Sequence, residues 1–471
     1  MLTLAEVITG TKGRFVGTLP AESPVTAFAI DSRQVTPGSV FFALPGTSTD
    51  GHAYLADVAQ RGALAAVVRE GWLATHPAPP LPTIAVPETL TALHDLAAWW
   101  RGKFPQTPVV GITGSVGKTS AKEAIAAVLG TRCHVLKTPG NLNAITSMPL
   151  VLLDITPETE VAVIEMSLYD PGDIATMARI AVPTIGVVTT IGMSHVERLG
   201  SQAAIIANKG DLIAALPPDG YAVLNGDDLH VRGMTERTTA HVLTFGTEAK
   251  NAVRATALEH RGLNGIAFRL HLPGEASVSV TSPMLGTHNV YAALAAATVG
   301  YVLNVAPDEI ARGLAEQQER LRLTTAPGPN GANLIDDTYN SSPQSAVAAL
   351  DLLASLDATR RVAVLADMFE LGDYRDEAHR IVGTHAARTV DRLYTLGPFS
   401  VATAAAARAA GMPTEAIVSI ATDDKETLAA HLRTDLAPGD AVLVKGSRGM
   451  HMDALIATLR TDAASADEET A

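Results

Sequence analysis

The run VVGITGSVGKTSAKEAI at residues 109–125 limits what this chain can fold into more than any other segment. An apolar strand at 109–112 leads into a loop with Gly111, Gly114 and Gly117. Lys118 and Thr119 follow, and a helical pattern runs over about Lys118–Leu129. Glycines let backbone N–H groups turn toward an anion, and a helix N-terminus adds partial positive charge. Lys118 can then reach β- and γ-phosphates, while the Thr119 hydroxyl can ligate Mg2+. Ile112 stands where the strict GxxxxGK[ST] form has its first glycine. The plain alternative is an unrelated glycine turn before a helix. Further buried strands at VAVIEM and TIGVVTT, each followed by turn residues and a helix, predict a parallel, doubly wound sheet.

At 471 residues the chain is too long for one ordinary core, so two or three domains are expected. Apolar residues make up 47% and aromatics only 4%, so Ala, Val, Leu and Ile must fill the cores, as in α/β proteins. A first unit, residues 1–105, reads as mixed α/β. In it VTAFAIDSRQVTPGSVFFALPG forms two short strands around a Pro-Gly turn, and helices cover about 54–60 and 89–103. A second, residues 106–322, carries the glycine loop. Its stretch from about 240 to 282 alternates in polarity and reads as antiparallel strands, before a helix over 288–303. A third, residues 323–471, repeats strand, loop and helix through NLIDDTYN, RVAVLAD, RLYTLG and AVLVKGS, which predicts a Rossmann-like sheet. The last residues, TDAASADEETA, read as a frayed tail.

The formal net charge of −14 argues against a nucleic-acid binder or a protein held on an anionic membrane surface. Cys133 is the lone cysteine, which suits a reducing cytosol. The opening MLTLAEVITGTKGRF does not read as a signal peptide, and no run of about 20 uncharged apolar residues predicts a membrane span.

Some polar residues stand where a doubly wound sheet keeps its functional groups. Glu165 ends VAVIEM and could hold Mg2+, and His195 follows TIGVVTT by a few residues. A lone histidine of this kind is ordinarily a core or surface residue. Asn208-Lys209-Gly210-Asp211 matches the guanine-reading NKxD string, but Ile205, Ile206, Leu212, Ile213 and Leu216 recur at helical spacing, with Ser201 as cap and Pro217-Pro218 as stop. Lys209 is therefore helical and the guanine reading fails; alone it would be a surface lysine. Asp336-Asp337 reads equally as a ribose or metal site and as a capping turn.

Taken together, these strings resemble the Mur ligase family along nearly the whole chain. GITGSVGKTS is similar to its GxTGTNGKT loop, with Ser115 and Val116 in place of Thr-Asn. TIGMSH, ending at His195, resembles its metal-binding histidine segment, and ANKGDLI the segment whose lysine is carbamylated, here Lys209. LGTHNVYAALAA resembles GxHNxxNALAA beside the adenine, carried by His288 and Asn289, with Ala292 departing. TPGNLNA (Asn141, Asn143), IDDTYNSSP, ADMFELGDYRDEAH and LVKGSRGM are similar to strings of the branch that adds a dipeptide. The DNPR string of the diaminopimelate-adding branch is missing. DSRQVTPGSVFFALPG is similar to the uridine-binding DSRxxxPGxxFxAxxG.

The resemblance implies a three-domain enzyme that binds UDP, ATP and an acceptor in turn. It would join D-Ala-D-Ala to UDP-N-acetylmuramoyl-tripeptide through an acyl phosphate. It implies ATP and two Mg2+ ions. Gly114, Ser115, Gly117, Lys118, Thr119 and Ser120 would cradle phosphate. Thr119 and Glu165 would hold one cation, and His195 with carbamylated Lys209 the other. His288 and Asn289 would sit at adenine, Asp337 at ribose and Arg320 at the phosphates, with Arg322 competing for the last place. Ser32 and Arg33 would bind the UDP end, Asn141 and Asn143 the substrate, and Asn340, Lys445, Ser447 and Arg448 the acceptor side. A cytoplasmic monomer is expected, closing about a hinge at 320–329. A sibling ligase, a P-loop switch and a non-catalytic nucleotide-binding scaffold remain as alternatives.

Overall fold

The computed structural model describes residues 2–46, 49–274, 276–317 and 324–469, and its strands form three sheets. The first sheet has five strands: Phe28–Ala29, Val40–Phe42, Ala65–Arg69 and Thr83–Val86 run parallel, and Arg14–Val16 pairs antiparallel with the last. The two strands expected around the Pro-Gly turn are present, but they lie side by side in parallel. A 3-10 turn over Ser32–Gln34, capped by Asp31, takes part in carrying the chain back between them.

The central sheet has nine strands. From Val135–Lys137 through Val161–Glu165, Val109–Thr113, Ile185–Val188, Tyr221–Asn225 and His241–Gly246 to Val253–His260, neighbours run parallel. Ile266–His271 and Ser277–Ser282 then extend it antiparallel. The expectation of antiparallel strands over 240–282 therefore needs correction at its start. His241–Gly246 pairs parallel on both sides, because the preceding connection through Leu229–Arg237 crosses the sheet rather than turning back as a hairpin. The strands beside the glycine loop are buried throughout, as runs such as VAVIE covered on both faces should be.

The third sheet has six strands, in the order Thr324–Pro327, Asn333–Asp337, Ala441–Lys445, Arg361–Ala366, Arg392–Leu396 and Ile417–Ile420. All pairs are parallel except the first. Thr324–Pro327 is thus a strand registered on Asn333–Asp336 and cannot serve as the hinge read from TTAPGPNG. Gly328 and Pro329 belong to the turn that leads into Asn333–Asp337, and residues 320–323, with Arg320 and Arg322, lie outside the described residues. The final helix runs Met452–Glu469, where composition suggested a frayed tail. No helix among the described residues is long and apolar enough to cross a membrane.

The first two sheets share one core. The helix Thr89–Arg101 buries Leu93, Leu96 and Trp100 in the same apolar cluster as Met148, Leu152 and Ile174 of the central unit. Polar contacts reinforce that seam. Trp100 Nε1 donates to the Ile155 carbonyl at 2.9 Å, and the His94 ring donates from Nε2 to the Ile145 carbonyl at 2.7 Å. Arg101, only 4% exposed, donates to the carbonyls of Ala181, Phe104 and Thr107. Replacing it strands three acceptors in the seam. Arg101→Ala should therefore lower unfolding stability by about 2–3 kcal/mol, read from urea melts followed by tryptophan fluorescence; a change within error would mean that water takes over these carbonyls.

Candidate nucleotide and ligation site

Strand Val109–Thr113 delivers the chain into a loop that only glycine can make. Gly114 has φ +148, and a Cβ there would lie 1.9 Å from Thr189 Oγ1; Gly117 has φ +86 and caps the helix Lys118–Leu129. The loop is tied to the segment after the neighbouring strand. Ser115 N–H donates to the Thr190 carbonyl at 2.7 Å, and Gly192 N–H donates to Ser115 Oγ at 2.8 Å. Ser120 lies half-buried in the helix's first turn.

Lys118 and Lys209 converge on one atom. Each Nζ donates to the Gly114 carbonyl at 2.9 Å. Lys209 is fully buried in the helix Gln202–Ala214, whose N-cap is Ser201, so it is neither a surface lysine nor part of a guanine-reading loop. Burial, then the charge of Lys118, drives the Lys209 amine far below an ordinary lysine in basicity.

A second cluster forms where Val161–Glu165 ends. Thr119 Oγ1 donates to the Glu165 carboxylate at 3.1 and 3.3 Å, and Asn143 Nδ2 donates to Glu165 Oε1 at 2.7 Å. Lys122, four residues beyond Lys118, is buried 4.0 Å from Glu165 Oε2; it donates to the carbonyls of Thr138 and Gly140 at 2.8 and 3.3 Å. It fixes the loop carrying Asn141 and Asn143. Asn141 is exposed at the loop's turn. The sequence reading passed over Lys122, although its spacing from Lys118 puts both on one helix face.

The third sheet supplies its own group. Lys445 Nζ donates to Asp337 Oδ2 at 2.7 Å and to the Asn340 carbonyl at 2.8 Å. Arg448 N–H donates to Asn340 Oδ1 at 3.4 Å, and Ser447 Oγ to the Ser341 carbonyl at 3.4 Å. Asp336 accepts from Thr338 N–H and Oγ1, the capping-turn alternative, while Asp337 is the carboxylate that pairs with lysine.

His195 sits at the head of the short helix Val196–Leu199 in a left-handed conformation, φ +67. Its Nδ1 is 2.7 Å from Glu370 Oε2 of the third sheet, close but poorly aligned for a hydrogen bond. Glu370 is not among the residues singled out from sequence. Ser32 and Arg33 stand apart, on the turn after Phe28–Ala29, with the Arg33 guanidinium 2.7 Å from Asp31.

Asn289 donates to the Leu285 carbonyl at 2.7 Å and lies 3.3 Å from His288 Nε2. Burial, then the charge of Lys445, lowers the His288 pKa to about 4. A Cβ on Gly286 would lie 3.7 Å from Leu352 Cβ, so segments of the second and third units meet beside this imidazole.

A glycine loop at the carboxyl edge of a parallel sheet, with lysines, a hydroxyl and a carboxylate around it, defines a nucleotide-phosphate-handling α/β protein with a further sheet facing the loop. Residues 24–101 match the Mur ligase family catalytic domain, 112–300 the Mur ligase middle domain and 320–448 the Mur ligase glutamate ligase domain. The chain belongs to the Mur ligase family. It is 34% identical to the UDP-N-acetylmuramoyl-tripeptide--D-alanyl-D-alanine ligase of Synechocystis sp., covering 94% of each chain. It is 32% identical to the ligase of that name from Bacillus subtilis, covering 97% of each. Among solved structures it resembles MurF from Acinetobacter baumannii, with TM-score 0.86 and 28% identity over 98% of each chain. MurF ligase from Thermotoga maritima in complex with ADP gives TM-score 0.78 and 26% identity, over 93% of this chain and 98% of that one.

Burial of the His288 ring makes folding sensitive to acid. The unfolded chain protonates this ring below its ordinary 6.5, the folded one only near 4, so its contribution to stability is complete above 6.5 and lost as pH falls to about 4. The ring's NMR signals should titrate near pH 4, and His288→Gln should flatten the acid limb of the stability profile between those values. A midpoint near 6.5 would show a solvated ring.

Proposed function

We propose that this chain joins D-Ala-D-Ala to UDP-N-acetylmuramoyl-tripeptide using ATP, giving the UDP-linked pentapeptide, ADP and phosphate. The relatives' names supply the substrates. The observation that carries the chemistry is the convergence of Lys118 and Lys209 on the Gly114 carbonyl, beside the Thr119–Glu165 pair.

A free carboxylate is a poor acyl donor because its oxygen will not leave. In the proposed reaction a tripeptide carboxylate oxygen attacks the γ-phosphorus, and the bond to the β,γ-bridging oxygen breaks. The dipeptide amine then attacks the acyl carbon, loses a proton, and phosphate leaves. The protein's task is positioning and charge stabilisation. Gly114, Ser115, Gly117 and Ser120 cradle phosphate, and Lys118 turns from Gly114 to the γ-phosphoryl oxygens. His288 and Asn289 hold adenine, Asp337 the ribose, Asn141 and Asn143 the substrate beside Glu165, and Ser32 and Arg33 the uridine end. Asn340, Lys445, Ser447 and Arg448 face the acceptor. The division of labour follows residues 1–105, 106–322 and 323–471.

The Thr119 hydroxyl and the Glu165 carboxylate fit Mg2+, which takes hard oxygen donors and keeps one or two protein groups beside phosphate and water. Mg2+ would neutralise charge building on the phosphoryl oxygens. A second ion would fall to His195 and Lys209, as the family resemblance implies. An ammonium would repel it, but burial and the Lys118 charge push the Lys209 amine toward its neutral form, the form that adds carbon dioxide to give an anionic carbamate and a proton. The lone Cys133 suits a cytoplasmic protein.

Phosphate release should require ATP, the UDP-tripeptide and D-Ala-D-Ala together. Rapid release from ATP alone would support a P-loop switch, and preference for a single amino acid a sibling ligase. Lys209→Ala should lower kcat by about a hundredfold or more, with partial recovery in acetate. Full activity of that variant would rule out the carbamate.

A further inference from the structure

The contact between His195 and Glu370 crosses from the central sheet to the third. The Glu370 side of it is unusually well held. Asp367 accepts Ser447 N–H on its carbonyl at 3.0 Å, Met368 N–H donates to His379 Nε2 at 3.1 Å, and Phe369 N–H donates to Ser447 Oγ at 2.8 Å. His379 is 1% exposed, and its Nδ1 donates to the Arg375 carbonyl at 2.8 Å, which fixes its tautomer. Three consecutive residues are thereby pinned, and Glu370 follows in a left-handed conformation, φ +62, with its carboxylate against His195.

The approach is a docked one. Glu197 N–H reaches the Glu370 carbonyl at 3.5 Å, and a Cβ on Gly372 would lie 3.2 Å from Glu197 Cα. A Cβ on Gly192, in the same central segment, would lie 3.1 Å from the Gln344 amide. His195 itself adopts a left-handed backbone conformation, uncommon for a residue with a side chain, at the head of the helix Val196–Leu199.

We infer that Glu370 is a positioning residue for His195: it engages Nδ1, orients the ring so that Nε2 faces the cation, and does so only when the third sheet is docked on the second. This rests on the reading of His195 as a cation ligand. A carboxylate on the far nitrogen of a ligating histidine fixes tautomer and orientation and raises basicity. Here the carboxylate belongs to a different sheet from the histidine, and its loop is held by Ser447, on the acceptor-facing side. Cation affinity is therefore tied to docking of the acceptor-binding sheet.

The test uses the full chain with a non-hydrolysable ATP analogue and UDP-tripeptide, with bound Mn2+ counted by electron paramagnetic resonance. Glu370→Ala should weaken the second Mn2+ by about ten- to a hundredfold, leave the first unchanged, and melt as wild type does. Glu370→Gln, which keeps an amide oxygen able to lie beside Nδ1 but lacks the charge, should fall between. His195→Ala should lose the second ion outright. Wild-type Mn2+ affinity in Glu370→Ala, with loss in His195→Ala, overturns the positioning role alone. Two ions retained in His195→Ala overturn the cation reading of that residue, and this inference with it.

Discussion

Two side chains from distant parts of the sequence bring amine groups to the Gly114 carbonyl, and much of the site follows from that crowding. Cationic groups side by side are stable only if something absorbs their repulsion. Here burial and the Lys118 charge make the Lys209 amine a far weaker base than an ordinary lysine. An arriving polyphosphate meets Lys118 already directed along the loop. The arrangement depends in turn on Gly114, whose missing side chain lets Thr189 pack against the turn. A larger residue would push the two strands that form the floor of the loop apart.

The second and third sheets both present the carboxyl ends of their parallel strands to the same region. That is where α/β sheets keep their ligands, since loops and helix N-termini gather there. The central sheet offers Glu165 and the glycine loop, and the third offers Asp337, Asn340 and the 445–448 turn. Lys445 lowers the basicity of His288 from across the seam, so the sheets influence each other electrostatically as well as by contact.

Much of this was legible in the sequence because continuous apolar runs such as VAVIE have few ways to be buried. Alternation was less informative. It reports that one face of a strand is open, not which way its neighbour runs, and so His241–Gly246 was read with the wrong direction. Pro and Gly misled in TTAPGPNG. Pro327 sits on an edge strand, where a missing N–H leaves no partner unsatisfied, so a segment rich in turn residues still joins the sheet. At the site, residues inside strings resembling a known family could be named. Lys122 lies outside those strings, and Glu370, although inside ADMFELGDYRDEAH, shows no sign there of its partner. The meaning of each lies in what it touches, 16 to 18 residues away for Lys122 and in another sheet for Glu370.

The seams of the molecule differ in kind. Between the first two sheets the apolar core runs through without a break, so neither can change its facing side chains without the other repacking. The seam to the third sheet is mostly polar, with Gln344 against Gly192 and Glu370 beside His195; Tyr374 and Leu285 are apolar exceptions. A joint of that sort tolerates substitution one residue at a time. Substitutions on the third sheet's side of that seam can therefore accumulate singly, whereas the first two units, joined by one core, must change together.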